Sequence, residues 1–153
     1  MKAFFKIFLL LPIAWLASGC EDEAHDILPP AEFYIQLEDA ETGADLLNPE
    51  TEGNLLDDRV CAIENGKKHY IGNIPGSGNY FGSRLEWLRD YPYDTGRCVL
   101  VFRGLGYDAI TTVVFDWGDG TKTQVDFLPH DYLNCLIWVD GIASPGKVGI
   151  VRK

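Results

Sequence analysis

The sequence predicts an all-β domain, a sandwich or barrel of antiparallel strands, running from Phe33 to the last residue. Three observations carry that expectation. From Phe33 onward the chain breaks into short β-branched and aromatic runs, separated by Gly, Asn and Asp at regular spacing. Two turn signals stand among them, Asn65-Gly66 and Gly118-Asp119-Gly120, where a hairpin wants backbone of positive φ. Around the second turn, apolar and polar residues alternate as a half-buried sheet requires.

Strands are expected near 33–38, 59–65, 67–74, 79–83, 97–103, 109–117, 121–127, 134–140 and 147–152. Val60-Cys61-Ala62-Ile63 and His69-Tyr70-Ile71 form the arms of the Asn65-Gly66 hairpin. In the later hairpin Val113, Phe115 and Trp117 face one way, and Thr112, Val114 and Asp116 the other. On the return Thr123, Val125 and Phe127 alternate with Lys122, Gln124 and Asp126. Ser83 to Asp90, with Leu85, Trp87 and Leu88, is the one place for a short helix, stopped by Pro92. A strand with an irregular loop fits that segment equally. Cys98-Val-Leu-Val-Phe-Arg-Gly and Cys135-Leu-Ile-Trp-Val-Asp-Gly look alike, but seven residues of strand and turn do not make a repeat.

The chain ahead of this domain has a different texture. Lys2 and Lys6 give a basic start, Ile7 to Leu16 an uncharged apolar stretch, and Leu16-Ala17-Ser18-Gly19 a small-residue end. Residues 1–19 therefore read as a targeting segment that is removed, being too short to span a bilayer and carrying Pro12. Residues 20–32 read as a short acidic stalk stiffened by Pro29-Pro30, and residues 33–153 as a single domain. The whole chain has a formal net charge of −10, and loss of the targeting segment removes two lysines and no acid. Such a surface excludes nucleic acid, whose binding depends on Lys and Arg neutralising phosphates. It suits a basic or cation-rich partner.

Ala17-Ser18-Gly19-Cys20 resembles the lipobox of bacterial lipoproteins, with Ala where Leu is commoner. The resemblance implies that Cys20 is lipidated and becomes the first residue of a membrane-anchored chain. A thiol suits that chemistry because its thiolate is the nucleophile. Glu21-Asp22-Glu23 resembles the surface-export signal of Bacteroidota lipoproteins. With Asp45-Leu46-Leu47-Asn48-Pro49 and Trp138-Val139-Asp140-Gly141, the chain looks like the small single-domain surface lipoproteins of that group. This implies an outer-membrane lipoprotein at the cell surface, or on the periplasmic face, with an immunoglobulin-like sandwich. Phe115-Asp116-Trp117-Gly118-Asp119-Gly120 followed by His130-Asp131-Tyr132 resembles the polycystic-kidney-disease repeat, another immunoglobulin-like module. Here the two aromatics are exchanged, and no Gly-x-Tyr follows Tyr132.

Catalytic and metal-binding patterns are missing from the sequence. His25, His69 and His130 make no zinc spacing with one another or with a cysteine, and no Ser stands in a nucleophile elbow beside His130-Asp131. Carboxylate pairs such as Asp57-Asp58 arise freely in an acidic chain. Trp87, Tyr91, Tyr93 and Trp138 offer aromatic faces for sugars, although aromatics in sandwiches usually pack inward. In the turn, Asp116 and Asp119 are the only carboxylates, and the twelfth position from Asp116 is Phe127 where an EF-hand has Glu. That segment is expected to be a structural hairpin. No cofactor is expected.

Cys61, Cys98 and Cys135 lie in apolar runs, and three disulfide pairings are open. At most one disulfide is expected, with Cys98–Cys135 the first choice since both begin strongly apolar strands; the alternative is that all three are small buried hydrophobes of the core. The expected function is a non-enzymatic surface module for adhesion, assembly or scaffolding. The alternative is a glycan-binding accessory lipoprotein of a polysaccharide uptake system, so the partner is a protein or a glycan. The anchor is checked directly: radiolabelled fatty acid should enter the wild type and not Cys20→Ala, and equal labelling of both would remove it.

Overall fold

The computed structural model describes residues 29–72, 82–89, 96–107, 109–130, 135–144 and 146–153. Among the described residues there are ten strands and no helix. They are β1 (Ala31–Glu38), β2 (Cys61–Glu64), β3 (Lys67–Tyr70), β4 (Arg84–Leu88) and β5 (Val99–Leu105). Then follow β6 (Thr111–Asp116), β7 (Lys122–Pro129), β8 (Cys135–Val139), β9 (Ile142–Ser144) and β10 (Val148–Arg152). One sheet has the order β10-β1-β5-β4 and the other the order β3-β2-β6-β7-β8-β9, so the domain is a β-sandwich and not a closed barrel.

Alternation along the strands builds the layer between the sheets. Phe33 and Ile35 of β1 pair across to Phe102 and Leu100 of β5, which in turn face Leu85 and Trp87 of β4, and Leu37 points the same way beside Val151 of β10. From the other sheet Ala62, Val113, Phe115, Val125, Phe127 and Ile137 point into the same layer, and all of these are buried except Trp87, which is partly so. The Phe33 ring sits 5.8 Å from Phe102 in its own sheet, and 6.2 and 5.1 Å from Phe115 and Phe127 of the opposite sheet. Each buried ring contributes roughly 1.5–3 kcal/mol through lost apolar hydration.

The long connection from β1 to β2 closes one end of this layer. Asp39 Oδ1 accepts from the Thr42 N–H at 2.7 Å and from the Thr42 hydroxyl at 2.7 Å, which folds the first turn. Asp45 then ties the loop down: Oδ1 accepts from the Leu47 N–H at 3.0 Å, and Oδ2 from the Cys98 N–H at 2.7 Å. Leu46, Leu47 and Val60 are thereby buried in the core. The Trp87 indole N–H donates to the Leu47 carbonyl at 3.0 Å.

Most of the expected strands are present, with ends that differ by a few residues: β1, β5 and β7 extend beyond one expected end and the others are shorter. Asn65 and Gly66 have φ of 48° and 77°, as a type I′ turn between β2 and β3 demands. Between 83 and 89 the strand reading holds: Arg84–Leu88 is strand β4, because Leu85 and Trp87 alternate toward the core while on the other face Glu86 pairs with Arg84 and Arg103, and Arg103 with Glu32. Three differences stand out. Of the strand expected at 79–83, residues 79–81 lie outside the described residues, and Gly82 and Ser83 are irregular. Asp140-Gly141 is a second turn of positive φ, 47° and 81°, which folds β9 back on β8. Finally, β10 pairs with β1 in parallel. The chain leaves the wider sheet after Ser144, joins the narrower one at Val148, and so enters β10 at the end where β1 begins.

The disulfide expectation is corrected as well. Cys61, Cys98 and Cys135 are all buried, and Cys98 is not bonded to Cys135. Cys98 precedes β5 beside Asp45, whereas Cys135 starts β8 opposite Pro129, near Ala31 and Tyr107. Since Ala31 pairs with Leu105 at the far end of β5, the two cysteines sit at opposite ends of the sandwich. A strand of that length spans roughly 20 Å, well beyond the reach of a disulfide.

Gly149 marks a close approach between the sheets. A Cβ there would lie 2.8 Å from both Ile35 Cδ1 and Val139 Cγ2, one from each sheet. Gly149→Val should therefore destabilise the domain by roughly 1–3 kcal/mol through overpacking, read from the urea midpoint, with Gly149→Ala costing less. An unchanged midpoint for both variants would contradict this packing.

Candidate functional site

The sheets differ in width, and the difference leaves a groove. Beyond β10 the four-stranded sheet ends, while the six-stranded sheet continues to β9. The groove between these two edges has a volume of about 630 Å³. Thr123, Val139 and Val151 form its buried floor. Ile142, Ala143 and Ser144 form one wall, and Ile150 and Arg152 the other. Val139 and Ile142 are register partners, so the Ile142 side chain leaves the inner face of its sheet. Among the described residues no strand of the other sheet stands opposite it, and Ile142 is 75% exposed.

Both ends of the groove are fixed by side chains. At one end the Ser144 hydroxyl donates to the Val148 carbonyl at 2.7 Å, bracing the crossover between sheets. At the other end the β6–β7 turn meets the last residue. Trp117 is buried against Phe115, with ring centroids 5.6 Å apart and near-parallel planes, and its indole N–H donates to Thr123 Oγ1 at 2.9 Å. Lys153 Nζ lies 5.3 Å above the Trp117 ring, donates to Asp119 Oδ2 at 2.8 Å and also contacts the Thr121 hydroxyl. This contact combines a cation over an aromatic face with a charge-assisted hydrogen bond.

The groove carries charge of both signs. Among the described residues its lining carries Lys122, Arg152 and Lys153 against the carboxylate of Asp140. Each cation also has an acid beside it outside the lining. Lys122 lies 3.4 Å from Asp116, Arg152 lies 3.5 Å from Glu38, and Lys153 pairs with Asp119.

The Gly118-Asp119-Gly120 segment has the geometry of a structural turn. Gly118 and Gly120 have φ of 76° and 92°. Asp116 Oδ1 accepts from the Gly118 N–H at 3.2 Å, and this bond holds its carboxyl below the usual range. Asp119 Oδ1 accepts from the Thr121 N–H and hydroxyl at 2.8 and 2.6 Å. The Lys153 ammonium thus occupies the side where a metal would compete, and among the described residues no group of three metal-ligating side chains occurs.

The other candidate residues scatter. Cys20, His25, Tyr91, Tyr93, Asp131 and Tyr132 lie outside the described residues. His130 is exposed just past β7. His69 is buried, its ring edge-on to Phe102 at 5.4 Å and its Nε2 3.6 Å from Glu64. Asp57 accepts from Arg59 and pairs with it at 2.6 Å, which holds its carboxyl well below the usual range. Burial pushes the Cys61 thiol up, away from nucleophilic use. Trp87 is turned inward, and Trp138 stands half-buried on the outer face of the six-stranded sheet, opposite Asp126. No residue of the β9 wall was expected in a site. The signal for it was present in Asp140-Gly141, a dipeptide suited to a type I′ hairpin.

Comparison with known proteins finds no matching family model, no similar curated protein and no similar solved structure.

Asp119 gives the groove's far end a pH dependence. Hydrogen bonds from Lys153, then from the Thr121 hydroxyl and N–H, lower its pKa in the folded state. The unfolded value is about 3.9. The stabilisation is therefore complete above roughly pH 4 and is lost as pH falls through the lower folded value. Asp119→Asn should melt lower than wild type at pH 7, with the gap closing below pH 4, while millimolar calcium leaves the wild-type melting temperature unchanged. A calcium-dependent rise that Asp119→Asn abolishes would instead make the turn a metal site.

Proposed function

We propose that this protein is a lipid-anchored, cell-surface binding module, non-enzymatic and immunoglobulin-like, used for adhesion or assembly. Its binding site is the β9–β10 groove. The observation that carries this reading is Ile142, an apolar side chain on the inner face of its sheet that is left uncovered beside a concave, buried floor. A large apolar residue exposed in a concavity costs hydration free energy that a partner recovers on binding.

The position of the groove supports the same reading. Pro29 and Pro30 lead from the stalk into β1 at Ala31, and the groove residues of β10 lie beside Gln36 to Glu38 at the other end of that strand. Five residues of strand separate the two points by roughly 17 Å. A chain tethered through Cys20 to an outer-membrane surface then presents the groove away from the lipid.

Glycan binding is the second reading, and Trp138 is the residue that favours it. It stands on the outer face of the six-stranded sheet in a row with Thr112 and Asp126. However, the Asp126 carboxylate already accepts from the Thr112 hydroxyl at 2.6 Å and from Gln124 Nε2 at 3.0 Å. Its polar neighbours are satisfied without a sugar. The groove reading is tested in cells by a photoreactive phenylalanine at position 142, with position 110, also exposed but outside the groove, as control. Discrete adducts at 142 and none at 110 are expected; adducts at 110 alone, or at both alike, would overturn it.

A further inference from the structure

We propose that the groove takes an extended peptide strand of a partner protein, alternately apolar and acidic, which pairs with β10 as a fifth strand of the narrower sheet. The proposal rests on the groove being the binding site and adds what binds there and how.

The backbone of β10 supplies the first argument. In a parallel pair, alternate residues turn both backbone polar groups to the same side. Toward β1, the Lys147 carbonyl accepts from the Tyr34 N–H at 2.9 Å, and the Lys153 N–H donates to the Glu38 carbonyl at 2.9 Å. Gly149 and Val151 share that parity and face β1. Val148, Ile150 and Arg152 therefore face the other way, toward the groove. The Val148 carbonyl is engaged by Ser144. Ile150 and Arg152 are left presenting their N–H and C=O groups along an edge that, among the described residues, pairs with no other strand. Two residues with donor and acceptor in register are what an added strand requires.

The unequal sheets supply the second. Adjacent strands lie about 4.8 Å apart and stacked sheets about 10 Å. A strand added to β10 comes to rest over β9, where the wider sheet has no counterpart among the described residues. Its inward residues would cover Ile142 and close the floor at Val139. Alternate positions of the guest must then be apolar.

Charge supplies the third. The guest's outward residues lie beside the Arg152 side chain, with Lys122 and Lys153 at the groove's end. Carboxylates there meet cations across the strands, a favourable pairing. The same cations oppose edge-to-edge pairing of two copies of this chain, since like charges would then face one another. Lys122 and Arg152, both more than half exposed, stay open to a second carboxylate beside Asp116 and Glu38.

The test uses the acylated full-length protein in detergent and a capped peptide of alternating Val and Glu. Saturable binding is expected, with slowed hydrogen exchange at the Ile150 and Arg152 amides. Methylating alternate backbone nitrogens on the pairing side of the peptide should abolish binding, and replacing Glu by Lys should weaken it at least tenfold. Ile150→Pro removes an outward N–H while sparing the bonds that Gly149 and Val151 make to β1. It should lose binding and keep its melting temperature. If that variant unfolds, the methylated peptide decides the question by itself. No binding, or equal binding of the methylated peptide, would overturn the proposal. So would dimerisation that protects the same amides without peptide, because the occupant would then be a second copy. Cross-linking at position 142 that persists beside a negative peptide result leaves the groove standing and removes only the strand.

Discussion

The contact between Phe33 and the two phenylalanines of the opposite sheet, Phe115 and Phe127, is what holds the layers at a fixed spacing. Phe33 lies on β1, which pairs with β5 on one side and β10 on the other, so one ring sets the height of three strands at once. Rings tilted or edge-on at these distances are in favourable aromatic geometry and leave little freedom to slide. Once that spacing is set, β10 can approach β8 only because Gly149 has no side chain to hold it off. Register does the rest. Shifting β1 by one residue would bring Glu32, Tyr34 and Gln36 inward and is forbidden by burial.

The groove follows from this constraint. The aromatic layer is covered by four strands on one side and needs only four opposite it, yet the second sheet has six. At the β9 edge nothing in the described residues covers Ile142, whereas at the β3 edge His69 packs its ring against Phe102 and is buried. The two ends of the wider sheet thus differ chemically, one sealed by a local contact and one open. Sheet edges are ordinarily protected by charge, and Arg152 with Lys153 provides that here.

Trp117 links the core to the groove's rim. Its ring belongs to the buried layer through Phe115, its N–H orders Thr123 on the groove floor, and its face receives the Lys153 ammonium. Asp119 completes the arrangement by drawing the same ammonium to the turn. The turn's two acids are spent on backbone, hydroxyl and lysine, so a segment with the look of a cation loop serves to position the end of β10.

The sequence by itself determined the strand-rich class, the two hairpins at Asn65-Gly66 and Gly118-Asp119-Gly120, and the inward set from Val113 to Phe127. Each of these is set by local chemistry, positive φ in a turn or period-two alternation, which is legible within ten residues. What lies between 83 and 90 was open between helix and strand, because Leu85, Trp87 and Leu88 suit either period until β5 is placed beside them. The separation of Cys98 from Cys135, the parallel direction of β10 and the groove were decided only by tertiary structure. All three depend on which strands become neighbours and how many each sheet gains. That is a matter of contacts between residues far apart in the chain, where no local pattern reports the partner.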